Sequence, residues 1–147
     1  MSIIYLDTSA LLKQYIQENQ SEAVEELLGL ATGLGTSIIT HTEMASAMSR
    51  ATRLGAFPPA EAQAAWKDFL TDWASLTRLK VSAQVTTRAA TLAWEYGLRS
   101  YDALHFASAL VWQEILEMPV TLATFDRELW LAAQKAGMTA WPENLYS

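Results

Sequence analysis

The sequence contains no cysteine, which excludes disulfides, thiolate zinc sites and cysteine nucleophiles and is compatible with a reducing compartment. Basic residues are scarce, ten Lys and Arg against sixteen Asp and Glu, for a formal net charge of −6. Non-specific affinity for nucleic acid comes from Lys and Arg neutralising phosphates, so this balance argues against a general nucleic-acid binder. It leaves room for a protein whose acids form a cluster that divalent cations neutralise. No apolar run approaches the ~18 residues of a membrane span, so no membrane association is expected. The short apolar start, MSIIYL, is broken by Asp7 and has no basic stretch before it. It reads as a strand and not as a signal peptide, and the expected location is the cytoplasm.

What is present is a regular alternation of strand and helix signals along all 147 residues, without repeats, low-complexity stretches or a long Pro/Gly/Ser linker. One domain, 1–147, is expected. Strand-like runs fall at Ile3–Leu6, Ser37–Thr40, Leu79–Val81 and Val120–Phe125, with a weaker edge candidate at Met138–Trp141. Most are continuous and apolar, as in a sheet buried on both faces. Alanine-rich amphipathic segments predict helices near 9–18, 20–31, 41–54, 59–75, 83–97, 100–117 and 127–136, with Gly55, Gly97 and Gly137 where helices would stop. The pattern predicts an α/β/α sandwich, a Rossmann-like central parallel sheet of four to five strands flanked by helices. In such sheets ligands bind outside the C-terminal strand ends.

The acids should therefore be sought there. In Ile4-Tyr5-Leu6-Asp7-Thr8-Ser9 and Leu122-Ala123-Thr124-Phe125-Asp126-Arg127 an apolar strand ends in Asp and a helix starts at once. Glu43 falls in the first turn of the helix after the second strand, and Asp102 in the first turn of the helix opening at Ser100. Each alone reads as an ordinary cap or dipole partner of a helix. Four on one rim are harder to explain that way, because two ionised carboxylates ~4 Å apart repel by ~4 kcal/mol at an effective dielectric of ~20. A cation between them removes that cost. Hard oxygen ligands, without Cys or paired His, favour Mg²⁺ or Mn²⁺.

The segments YLDTSALLK, THTEMASAMSR with its Glu, RSYDALHFASAL and LATFDRELWLAAQKAG resemble the motif regions of PIN-domain proteins, most of all the VapC-type toxins of bacterial toxin–antitoxin pairs. The resemblance runs from residue 3 to about residue 141. It implies that Asp7, Glu43, Asp102 and Asp126 are the catalytic and metal-holding acids, with Thr8 and Thr124 as polar neighbours. It also implies an endoribonuclease that cleaves RNA by metal-activated water, leaving 5′-phosphate and 3′-hydroxyl ends. A small cognate antitoxin and a homodimer are the partners it implies.

Several neighbours carry two readings. Thr8 and Ser9 could orient a carboxylate or simply cap a helix, and Thr124, two residues before Asp126, would share its face in a strand. Arg99, three residues before Asp102, could steer phosphate or pair with the acids. His105 lies one helical turn after Asp102 and reads as a packed or supporting histidine before a general base. His41 reads as a helix-start residue. Trp66, Phe69, Leu70 and Trp73 form an apolar stripe that is core or, in part, a partner surface. The competing functions are a receiver-like Mg²⁺-binding signalling domain and a PIN fold that only binds partners. The first needs a phosphoacceptor Asp ending its middle strand and a late Lys, which the third and last strand candidates do not offer. Intact acids argue against the second.

Overall fold

A computed structural model describes residues 2–145. In chain order the elements are β1 (Ile3–Leu6), α1 (Thr8–Leu12), α2 (Ser21–Leu30), β2 (Gly33–Ser37), α3 (Thr40–Arg53), α4 (Pro59–Trp73), β3 (Thr77–Leu79), α5 (Ala83–Tyr96), α6 (Ser100–Leu116), β4 (Val120–Ala123), α7 (Arg127–Lys135) and β5 (Thr139–Trp141). All strands are parallel, in the spatial order β3-β2-β1-β4-β5. This is the expected α/β/α sandwich. It is not the 2-1-3-4-5 order of receiver-like domains, and that alternative falls here.

The central strand shows why the sheet is continuous and apolar. Ile4 and Leu6 are buried in a cluster with Leu11, Met44, Phe69 and Trp73, on the α1–α4 side. Tyr5, between them, is buried in a second cluster with Leu92, Phe106, Trp112 and Leu129, on the α5–α7 side. Alternation places successive side chains in opposite layers, and each fully buried Ile or Leu contributes ~1.5–3 kcal/mol. The stripe on α4 is largely core: Phe69 and Trp73 are buried, Trp66 packs against them beside His41, and only Leu70 stands out. Among the described residues no helix is long and apolar enough to cross a membrane.

Four boundaries differ from the sequence expectation. The second strand is Gly33–Ser37 and not Ser37–Thr40. A Cβ at Gly35 would lie 2.7 Å from the Trp112 ring, so the strand needs glycine where a helix crosses closely, and Ile38 and Ile39 instead lead into α3. The third strand moves with it to Thr77–Leu79, because the register pairs Gly35 with Thr77 and Ser37 with Leu79. The first helix stops at Leu12 and not near 18. Gln14 and Tyr15 turn to the carbonyls three residues back, and the Tyr15 hydroxyl donates to Asp72 at 2.8 Å. The fourth strand ends at Ala123 because Phe125 N–H donates to Ser9 Oγ at 3.0 Å, leaving the ladder.

The chain runs outward from β1 through β2 to β3, then returns to β4 on the other side of β1. The crevice between β1 and β4 is thus the topological switch point, where sheets of this kind bind ligands. Asp7 and Asp126 lie just past the C-terminal ends of those two strands.

Candidate metal centre

All four acids sit at helix starts. Asp7 is the N-cap of α1 and Asp126 the N-cap of α7, accepting from Ala10 N–H and Leu129 N–H, each at 3.0 Å. Glu43 and Asp102 lie in the first turns of α3 and α6. The capping reading is therefore true of two of them; further contacts link Asp7 with Asp126 and Asp126 with Asp102, while Glu43 is held by Thr8 and His105.

Asp7 is buried. Its Oδ1 accepts from Ser9 Oγ at 2.7 Å as well as from Ala10, and its Oδ2 accepts from Thr124 Oγ1. Thr124 Oγ1 in turn accepts from Asp126 N–H at 3.0 Å, so one hydroxyl joins the two strand-end aspartates. Burial pushes the Asp7 carboxyl above the usual carboxylate range, against the opposing pull of His105, Thr124, Ser9 and Ala10.

Glu43 is held differently. Its Oε1 accepts from Thr8 Oγ1 at 2.6 Å and lies 2.7 Å from His105 Nε2. Burial works to raise its pKa, but hydrogen bonding and charge interaction with His105, then the bond from Thr8, leave it below the ordinary value. His105 is buried in α6, and its Nδ1 lies 2.7 Å from the hydroxyl of Tyr5, which is fully buried on β1. Burial, and next the Asp7 charge, push the Tyr5 hydroxyl well above its usual range. The sequence marks His105 only as a packed or supporting residue, and Tyr5 is missed there altogether. A signal exists in ALHFASAL, where a polar ring inside an apolar helix run must find partners once buried.

Asp102 is the least compensated acid of the site. Burial, then the charges of Asp126 and, less strongly, Asp7, push its pKa up to about 6 despite the nearby Arg99. Its Oδ2 is buried without a hydrogen-bond donor; Arg99 Nε, 3.4 Å away, attracts it by charge only. Arg99 also reaches Asp126 Oδ2 at 3.0 Å from a side chain that is 80% exposed. Pairing with the acids is thus the geometry of Arg99, which places one exposed cationic group between two carboxylates.

Among the described residues no three His, Asp or Glu side chains converge as a ready-made metal cage. The donors nevertheless fit a hard divalent cation. They are carboxylates, Asp7, Asp102 and Asp126 interact electrostatically, and Asp102 keeps a buried oxygen that no group among the described residues satisfies by a hydrogen bond.

A family model described as PIN domain matches residues 4–135. The chain is 30% identical to Ribonuclease VapC45 of Mycobacterium tuberculosis (strain CDC 1551 / Oshkosh) over 148 aligned positions, covering 99% of each. Among solved structures, PAE2754 from Pyrobaculum aerophilum matches with a TM-score of 0.64 at 24% identity, over 95% of this chain and 83% of that one. VapBC-5 of Mycobacterium tuberculosis, a member of the VapBC family of toxin–antitoxin systems, matches with a TM-score of 0.55 at 19% identity, over 95% and 96%. A parallel sheet with acids gathered at its switch point, and a family match spanning nearly all of it, place this chain in the PIN-domain family.

Proposed function

We propose that this chain is an endoribonuclease of the toxin type, dependent on Mg²⁺ or Mn²⁺, with Asp7, Glu43, Asp102 and Asp126 as the acids that hold the cation. The ribonuclease reading is supported by family membership and by the full-length relative named a ribonuclease. The observation that carries the metal dependence is Asp102, whose charge is disfavoured by burial and by Asp126 and Asp7 and whose buried oxygen lacks a donor. Carboxylates arranged at such a cost to folding point to a cation as their partner.

Asp7, Glu43, Asp102 and Asp126 would hold a divalent ion, which would supply Lewis-acid activation of water for hydrolysis of the phosphodiester. The chain's own residues do the rest. Ser9 and Thr124 fix the two oxygens of Asp7, and Thr8 fixes one oxygen of Glu43. Arg99, exposed and held only by the acids among the described residues, is free to turn to an RNA phosphate once a cation takes its place.

An acidic pocket also invites a basic peptide, and we assign the second partner as a small antitoxin whose Arg or Lys occupies the cation position. A groove of about 830 Å³ begins at Thr8 and Glu43 and runs past Leu12, Ile39, Ala47 and Leu54, giving the remainder of that peptide an apolar seat. A homodimer, a single domain and a cytoplasmic location complete the proposal. The test is cleavage of RNA with Mg²⁺ or Mn²⁺ and with EDTA, reading the fragment ends. Cleavage leaving 5′-phosphates, lost in EDTA, is the expected result; undiminished cleavage in EDTA overturns the metal dependence, and no cleavage under any condition overturns the enzyme.

A further inference from the structure

Glu43 reaches the site from α3, yet the groups that hold it come from two other elements. His105 Nε2 meets Glu43 Oε1 at 2.7 Å, and His105 Nδ1 meets the Tyr5 hydroxyl at the same distance. The ring is 2% exposed, with Tyr5 edge-on to it at 5.8 Å between centroids. A carboxylate oxygen can only accept, so Nε2 carries the proton. In the neutral form of the ring Nδ1 is an acceptor, and the Tyr5 hydroxyl, 2.7 Å away, is placed to donate to it. Each atom of the chain Tyr5 to His105 to Glu43 has one role that satisfies its neighbour. With Thr8 also donating, Oε1 is filled from two sides, whereas Oε2 has no partner among the described residues.

We propose that His105 is a positioning residue for Glu43, kept in its Nε2-protonated form by Tyr5, so that Oε1 is tethered and Oε2 alone is left for the reaction site. The inference rests on the ribonuclease reading above. The tether matters because a loosely held glutamate would sample rotamers in which neither oxygen serves the other acids.

The test uses three variants of the full chain. His105→Gln keeps an N–H donor for Glu43, His105→Leu removes it, and Tyr5→Phe removes only the hydroxyl. His105→Leu is expected to lower kcat roughly 10–100-fold with KM for RNA nearly unchanged, and His105→Gln to recover a substantial part. Tyr5→Phe is expected to fall between them. Nitrogen chemical shifts of the His105 ring in metal-free protein at pH 7, which need no RNA, should show Nε2 protonated and Nδ1 not. Full kcat in His105→Leu, or Gln behaving no better than Leu while both are folded, overturns the proposal; so does a ring protonated on Nδ1 alone. If Leu fails to fold, the comparison of Tyr5→Phe with wild type decides, and unchanged kcat overturns it. A wild type that cuts no RNA while the ring shows the expected tautomer refutes the ribonuclease reading and supports the tether, whose remaining readout is a reduced Mg²⁺-induced melting shift in Tyr5→Phe, an undiminished shift overturning it.

Discussion

The two halves of the carboxylate cluster are held in opposite ways. On one side Asp7 accepts from Ser9, Ala10 and Thr124 on its two oxygens, and Glu43 is tethered through Oε1 by Thr8 and His105. On the other, Asp102 has a buried oxygen with no donor, and its main local compensation is an exposed arginine it shares with Asp126. The first half is fixed by hydrogen bonds within the fold, although burial still raises the Asp7 pKa while the Glu43 pKa is lowered. The second keeps a buried carboxylate oxygen without a donor among the described residues. Hydrogen-bond support is thus divided unevenly between the acids, and Asp7→Ala and Asp102→Asn should change stability in opposite directions.

The largest effect belongs to Asp7. Replacing it by Ala removes the α1 cap and strands the hydroxyls of Ser9 and Thr124, for a loss of roughly 3–5 kcal/mol and a melting temperature lower by roughly 10 °C. Denaturant unfolding checks this. A near-neutral result would mean that Asp7 belongs with the loose half.

Asp102→Asn should move the other way. Its folded pKa of about 6 lies above the ordinary 3.8, so the folded protein holds this proton more tightly than the unfolded chain does. The stability this proton contributes is present below about pH 4 and is lost as pH rises through about 6. At pH 7.5 without metal the charged Asp102 is therefore a burden, about 1–2 kcal/mol after allowance for solvent screening, and the Asn variant should melt a few degrees above wild type while cutting no RNA. Glu43 has the reverse sign, because its lowered pKa stabilises the fold above the ordinary carboxylate range and that contribution is lost as pH falls through the folded value. Melting curves of Asp102→Asn and Glu43→Gln from pH 4 to 8 would separate the halves.

Much of this site is legible in the sequence. Asp7 and Asp126 each end an apolar run and open a helix, and a parallel sheet brings such ends to one rim. What the sequence conceals has physical reasons. Gly35 reads as loop because the need for it comes from Trp112, far along the chain and over the strand. The fourth strand reads two residues too long because Thr124 and Phe125 look like strand, while Thr124 Oγ1 and Phe125 N–H are taken up by Asp7, Asp126 and Ser9. Arg99 reads two ways because spacing alone gives proximity to Asp102 and says nothing of Asp126, which only the fold brings near.

Two smaller effects sharpen the contrast. Mg²⁺ should stabilise the wild type by RT ln(1 + [L]/Kd), roughly 2.7 kcal/mol at a hundredfold excess over Kd, and Asp102→Asn by clearly less, as thermal scans with Mg²⁺ and EDTA would show. Arg99→Ala should cost only about 0.2–1 kcal/mol, because the arginine's own side chain is 80% exposed and solvent screens its charge, yet it should weaken RNA binding, read as a raised KM with kcat less affected.

The most direct measurement is the titration of Asp102 itself, followed by carboxyl-carbon NMR with EDTA and again with Mg²⁺. The account predicts a pKa of about 6 without metal and a fall well below that value when Mg²⁺ is added. An ordinary carboxylate pKa in EDTA, or a raised one that Mg²⁺ leaves unmoved, would contradict it.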